Sequence, residues 1–139
     1  MLRISLVTLG VADVPAATRF YEALGLVKSH ISGESVAFFQ IGPMVLALFG
    51  REASQEDGNT GSVWTGNGDI TLAQNVGSNV EVDSLMARAA AAGATILKEP
   101  QQAFWGGYHA FFADPDGHVW EIAHNPGFTL DESGVVLLP

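Results

Sequence analysis

Residues 4 to 11, Ile-Ser-Leu-Val-Thr-Leu-Gly-Val, are rich in strand-forming types and predict a first strand closed by Ala12-Asp13. Asp13 suits a helix N-cap, because its carboxylate can accept an orphan amide in the first turn, and Pro15 is tolerated there because its missing N–H has no partner to lose. Apolar residues then recur at Val14, Ala17, Phe20, Tyr21 and Leu24, the spacing of one buried helical face, until Gly25 supplies a left-handed cap. Leu26 to Ile31, Val36 to Ile41 and Met44 to Phe49 read as three short strands, punctuated by Gly33 and by Gly42-Pro43. The order is β-α-β-β-β.

The next stretch, residues 51–69, turns to Gly, Ser, Asn, Thr and acidic residues without a sustained period, and reads as a linker. Beyond it the order repeats. Ile70 to Val76 predicts a strand, and Ser78-Asn79-Val80-Glu81 a capping box. Val82, Leu85, Met86 and Ala89 mark a helix face that ends at Gly93, and Thr95 to Lys98, Tyr108 to Ala113 and Val119 to Ala123 give three more strands. Ala37-Phe38-Phe39 before the first hairpin turn is matched by Ala110-Phe111-Phe112 before the second, and Leu24-Gly25-Leu26 by Ala92-Gly93-Ala94. The expected fold is α+β: one domain over residues 1–139, with module one at 1–50, module two at 70–126 and a C-terminal segment at 127–139. Neither module can enclose a core alone, so the two are expected to form a curved mixed sheet around a cleft.

Composition narrows what such a fold does. With 47% hydrophobic and 15% charged residues, the 139-residue chain is not disordered, and the absence of cysteine excludes disulfides, thiolate metal sites and a cysteine nucleophile. Six basic against fifteen acidic residues give a net charge of −9, which argues against nucleic acid and anionic membrane as partners and leaves room for a cationic ligand. No apolar run approaches the ~20 residues that span a bilayer, and the N-terminal residues lack a signal-peptide pattern, so a cytoplasmic protein is expected.

Val11-Ala12-Asp13 followed by Arg19-Phe20-Tyr21-Glu22-Ala23-Leu24-Gly25-Leu26 resembles the first-helix signature of the vicinal oxygen chelate superfamily, which includes glyoxalase I, bleomycin-resistance proteins and extradiol dioxygenases. Trp105-Gly106-Gly107-Tyr108 and Phe112-Ala113-Asp114-Pro115-Asp116-Gly117-His118-Val119-Trp120-Glu121 resemble its closing hairpin. The resemblance covers residues 2 to about 126, and it is specific for fold and much less so for activity. It implies that Glu121 stands where metal-binding members place their last carboxylate ligand. Those members draw their other ligands from the first strand of each module and sometimes from the last strand of the first. Here Met1 to Ala12 holds no His, Asp or Glu, Ile70 to Val76 offers only Gln74 and Asn75, and Val36 to Phe49 only Gln40. Superposing the hairpins through Val45 and Val119 puts Ala47 in the place of Glu121. Neither metal nor cofactor is therefore expected.

The four histidines show no zinc-type spacing. His118 reads as part of the turn, and His109 and His124 as candidate cleft residues for which ordinary hydrogen bonding stands ahead of metal binding. Glu121 and His124, three apart on a strand, point to opposite faces. No serine sits in a Gly-x-Ser-x-Gly elbow, and Gly66-Asn67-Gly68 lacks the lysine of a phosphate loop.

Aromatics are more informative. Trp105 and Tyr108 combine apolar area with a polar group beside a glycine pair, and are expected to form a ligand wall supported by a packed Phe104. Trp120 should face away from Glu121, and Trp64 either covers the cleft or anchors the linker. The expected ligand-binding set is Trp105, Tyr108, Glu121, Gln74 and His109, with Glu121 the candidate catalytic residue. Two functions follow from these residues and the resemblance. The first is metal-independent binding or sequestration of a small aromatic or cationic molecule by a homodimer, and the alternative is a metal-dependent lyase, isomerase or dioxygenase using Glu121.

Overall fold

The Asp13 cap sets the path of the first module. In the computed structural model, which describes residues 4–58 and 70–138, Asp13 is extended and its carboxylate accepts the Ala16 N–H at 2.8 Å. Trp64 and Gly66-Asn67-Gly68 lie outside the described residues. Strand β1 (Leu6–Val11) leads into that cap, and helix α1 (Val14–Ala23) follows, burying Val14, Ala17, Thr18, Phe20 and Tyr21. Gly25 then adopts φ 97, the left-handed conformation that lets the chain leave the helix. Strands β2 (Val36–Ile41) and β3 (Met44–Gly50) form a hairpin across Gly42-Pro43. Because β1 runs parallel to β3, the sheet order is β1-β3-β2. Leu9, Val11, Leu46, Leu48, Ala37 and Phe39 share its buried face, and Tyr21 of α1 meets Phe39 there with ring centroids 6.3 Å apart.

Two expectations for this module are corrected. Leu26 to Ile31 is not a strand: it makes one bridge, Lys28 to Phe39, and leaves Val27 and Ile31 exposed. The edge of β2 is satisfied instead by isolated bonds, with the Phe38 carbonyl accepting from the Ser29 N–H at 2.8 Å and the Phe38 N–H donating to Ser32 Oγ at 2.9 Å. The start of the supposed linker is helix α2 (Arg51–Gly58), which follows β3 directly and packs on β1 and β3. Its sequence, Arg-Glu-Ala-Ser-Gln-Glu-Asp-Gly, carries helix formers but too few apolar residues to show a period.

The second unit follows the expected plan more closely, and the chain divides into compact units at Met1–Gly68 and Asp69–Pro139. Strand β4 (Thr71–Asn75) precedes helix α3 (Asn79–Ala92), whose N-cap Ser78 accepts the Glu81 N–H at 3.2 Å. In place of the usual reciprocal arm of a capping box, the Ser78 hydroxyl donates to the Glu81 carboxylate at 3.0 Å. Gly93 closes the helix at φ 104. Strands β5 (Thr95–Gln102), β6 (Tyr108–Ala113) and β7 (Val119–His124) complete a sheet of order β4-β7-β6-β5, in which β4 and β7 are parallel. A small hairpin, β8 (Thr129–Leu130) with β9 (Val136–Leu137), occupies the C-terminal segment.

The α+β class and the duplicated arrangement therefore hold, with each module's first strand parallel to its last. The two registers are equivalent: Ala47 lies opposite Phe38 and Thr8, as Glu121 lies opposite Phe111 and Ala73. No helix among the described residues is long and apolar enough to cross a membrane.

Two substitutions grade this account. Phe112 is buried and stacks on Trp120 with centroids 6.3 Å apart, so Phe112→Ala should cost about 3–5 kcal/mol. Ser78→Ala removes only the cap and should cost about 1 kcal/mol. Equilibrium denaturation measures both, and the reverse order of losses would refute the packing described.

Candidate functional site

Residues of β6 and β7 alternate between two faces, and α3 identifies one of them. The Tyr108 hydroxyl donates to Asp83 Oδ1 of α3 at 2.6 Å, and His124 Nδ1 lies 2.9 Å from Asn79 Oδ1 of the same helix. Tyr108 pairs with His124, so these two share the helix face with Ala110, Phe112, Trp120 and Ile122. The other face carries His109, Phe111, Glu121 and Ala123.

On that second face His109 and Glu121 meet. His109 stands opposite Ala123 and diagonal to Glu121, which brings its Nδ1 to 2.8 Å from Glu121 Oε2. An ionised carboxylate only accepts, so the Nδ1–H donates to it. His109 is 5% exposed, while the Glu121 side chain is 24% exposed. Around the imidazole, Trp105 makes an edge contact at 5.4 Å and Phe111 another at 5.2 Å between ring centroids. The Lys98 ammonium sits 6.0 Å from the centre of the Phe111 ring. The group therefore sets an aromatic surface and a carboxylate around a buried imidazole.

The glycine pair serves this cluster differently from the expectation. Gly106 takes φ 97, and a Cβ on Gly107 would lie 1.9 Å from the Trp105 ring and 2.7 Å from the His124 carbonyl oxygen. The close approach that glycine permits is made by the chain's own indole, folded back over Gly107. Trp105 remains 39% exposed, so one side of the ring is open.

Of the expected binding residues, Trp105, His109 and Glu121 come together and two do not. Tyr108 points to the α3 face, because it neighbours His109 along the strand and successive side chains alternate. Gln74 pairs with Ile122 and thus lies on the helix face, while Ala73 is the β4 residue beside Glu121. Phe104 is fully exposed and packs over nothing, so it does not support the loop. Trp120 faces away from Glu121 as expected and stacks on Phe112. His118 belongs to the turn, where its N–H donates to Asp114 Oδ1 at 2.8 Å, and His30 is exposed. Phe111 and Lys98 were absent from the expected set. Strand parity alone would have found Phe111, since it stands directly opposite Glu121.

A divalent ion needs several nitrogen or oxygen donors converging within about 2.0–2.6 Å. Among the described residues no group of three or more His, Asp or Glu could hold one. Glu121 has His109 as its partner, and Thr8, Ala47 and Ala73 fill the corresponding register positions without a strong ligand. The residues within either unit do not fit a metal centre.

This duplicated architecture, with a carboxylate on the last strand of the second module, defines a glyoxalase-like protein. The model of the Glyoxalase/Bleomycin resistance protein/Dioxygenase superfamily matches residues 3–122, and the chain belongs to that superfamily. Among solved structures it is similar to a glyoxalase-related enzyme from Fulvimarina pelagi, with 36% identity, 99% of each chain covered and a TM-score of 0.90. A glyoxalase/bleomycin resistance protein/dioxygenase family enzyme from Burkholderia phytofirmans PsJN is 25% identical over 88% of this chain and 98% of its own, with a TM-score of 0.79. A lactoylglutathione lyase from Agrobacterium tumefaciens, 24% identical over 90% of this chain and 95% of its own, shares the fold at a TM-score of 0.69. No curated protein is similar enough to count as a match.

Two measurements check this geometry. Gly107→Ala should displace the Trp105 ring, costing about 1–3 kcal/mol and altering the Trp105 emission, read as the difference from Trp105→Phe. An unchanged Trp105 contribution would contradict the folded-back indole.

The second measurement concerns Tyr108. Its hydrogen bond to Asp83, with some desolvation and the repulsion of that carboxylate, raises its pKa above the ordinary 10.0. Ionisation of the phenol breaks this contact. A folded-state pKa above the unfolded value means the contribution is fully present below about pH 10 and is lost as pH rises through the folded value. Ultraviolet titration against a Tyr108→Phe baseline should find Tyr108 ionising above Tyr's usual range, and Asp83→Asn should bring it down.

Proposed function

We propose that the chain binds or sequesters a small aromatic or cationic molecule on the face formed by Trp105, His109, Phe111 and Glu121, without a divalent ion. The observation that carries this reading is the 2.8 Å contact between His109 and Glu121, which gives the carboxylate at the position the resemblance assigns to a ligand an imidazole partner set among aromatic rings. Trp105 supplies apolar area with a solvent-facing side, and Glu121 supplies negative charge in a chain of net charge −9. In this reading the two modules work as one glyoxalase-like domain of a cytoplasmic homodimer. The exposed Phe104 and Leu97 give the second unit apolar surface for a copy of itself.

A second reading is catalytic. The Fulvimarina pelagi relative, 36% identical, is described as an enzyme, which favours turnover of a bound molecule with Glu121 as the reacting carboxylate. Metal dependence in this reading would require ligands beyond the pair within the second unit.

Elemental analysis of gently purified protein, followed by titration with a panel of aromatic and cationic compounds, tests both readings. The expected result is sub-stoichiometric metal and binding that weakens by more than about 1 kcal/mol in Trp105→Ala. Glu121→Gln should weaken cationic compounds most, and more at low salt than at high salt. One tightly held ion per chain, lost in Glu121→Ala, would overturn metal independence. Turnover of a panel compound that disappears in Glu121→Gln would establish the catalytic reading.

A further inference from the structure

The contact to Glu121 leaves the other nitrogen of His109 unexplained. Nε2 is buried and has no hydrogen-bond partner among the described residues. Its neighbours on the sheet cannot supply one. Ala123, directly opposite, has no polar side-chain atom, and Gln101, opposite on β5, turns its amide back to donate to the Glu99 carbonyl at 3.1 Å. Trp105 and Phe111 approach the imidazole as ring contacts, steeply inclined at 89° and 70°. Leaving a buried acceptor unpaired is costly, and native proteins seldom do so without a ligand or an ordered water to complete it.

The Glu121 contact also fixes which chemistry Nε2 offers. With the proton of a neutral imidazole held on Nδ1 by the carboxylate, Nε2 keeps its lone pair and accepts. We propose that His109 Nε2 is the hydrogen-bond acceptor of this face, held in that tautomer by Glu121, and that the molecule bound there presents an O–H or N–H donor on a planar body. This rests on the binding reading given above and adds the class of ligand: phenol-like or amide-like, with its flat part against Trp105 and Phe111. Trp105 is the most exposed of the rings around the imidazole, and its indole is the group that shifts to admit such a ligand and then packs against it.

Full-length protein labelled with ¹⁵N and held at about pH 8, where an ordinary imidazole is neutral, allows a direct test. Long-range ¹H–¹⁵N spectra should show His109 protonated at Nδ1 and unprotonated at Nε2, with the preference relaxing in Glu121→Ala. Phenol and anisole are then titrated as a matched pair, differing in the donor that a methyl group blocks. Phenol should bind about 5-fold more tightly, the net worth of one neutral hydrogen bond. In His109→Phe, which keeps an aromatic ring and removes the acceptor, that ratio should collapse while anisole still binds. If this variant fails to fold, the wild-type ratio and the spectrum decide the matter.

A proton on Nε2, alone or with one on Nδ1, overturns the acceptor assignment. Equal binding of the two probes overturns the donor requirement, leaves water as the partner of Nε2, and leaves the binding face standing. Binding of neither probe removes the binding face and the ligand class together, while the tautomer spectrum still judges the role of Glu121.

Discussion

The register of the β6–β7 hairpin is the constraint on which the candidate site depends, and a single buried carboxylate holds it. Asp114 is 3% exposed, and its Oδ1 accepts the N–H groups of Asp116 and His118 at 2.9 and 2.8 Å. The Asp114 N–H donates to the His118 carbonyl at 2.9 Å, and Gly117 closes the turn at φ 87. Because side chains alternate with a period of two, a slip of one residue would send His109 or Glu121 to the other face and break their contact. The turn motif has no chemistry of its own, yet it decides which residues meet.

Strand β6 has buried residues of either parity, with Ala110 and Phe112 on one side and His109 and Ala113 on the other. The helix face is secured by packing and by two polar contacts, Tyr108 with Asp83 and His124 with Asn79. Those contacts hold α3 against one end of the sheet and leave Tyr108 unable to share a wall with Trp105. On the opposite face, the missing Cβ of Gly107 lets the indole lie close to the chain and reach the imidazole. The two sides are thus assigned different work by adjacent residues of one short strand.

Much of this was legible in the sequence wherever a local rule was enough. Asp13, Ser78, Gly25 and Gly93 mark helix ends through backbone chemistry that acts within one turn, and the structure uses all four. The failures lie where a neighbour decides. Leu26 to Ile31 has strand-like composition, but β2 offers it only one bridge. Residues 51 to 58 have a helix-forming composition without an apolar period, and their helix is stabilised by packing on β1 and β3. At the site, the parity that separates Glu121 from His124 also separates His109 from Tyr108. Extending it across the turn would have replaced Tyr108 and Gln74 with Phe111. The exposure of Phe104 carries no local signal, because an aromatic residue beside glycines reads alike whether it packs or not.

The internal duplication shows why the candidate chemistry belongs to one module alone. In both sheets the central strand places one residue opposite the first Phe of an Ala-Phe-Phe segment, and the first strand of the module flanks it in parallel. The first module fills this position with Ala47, which is buried beside Thr8 and Phe38. In the second module the same position holds Glu121, which is partly exposed and draws His109 into a hydrogen bond. A half-buried carboxylate is favoured by a hydrogen-bonding partner, and His109 supplies one where the first module, by register, has Val36. Two modules with one backbone plan therefore diverge at a pair of side chains, and that divergence puts the His109–Glu121 pair on the β6–β7 face.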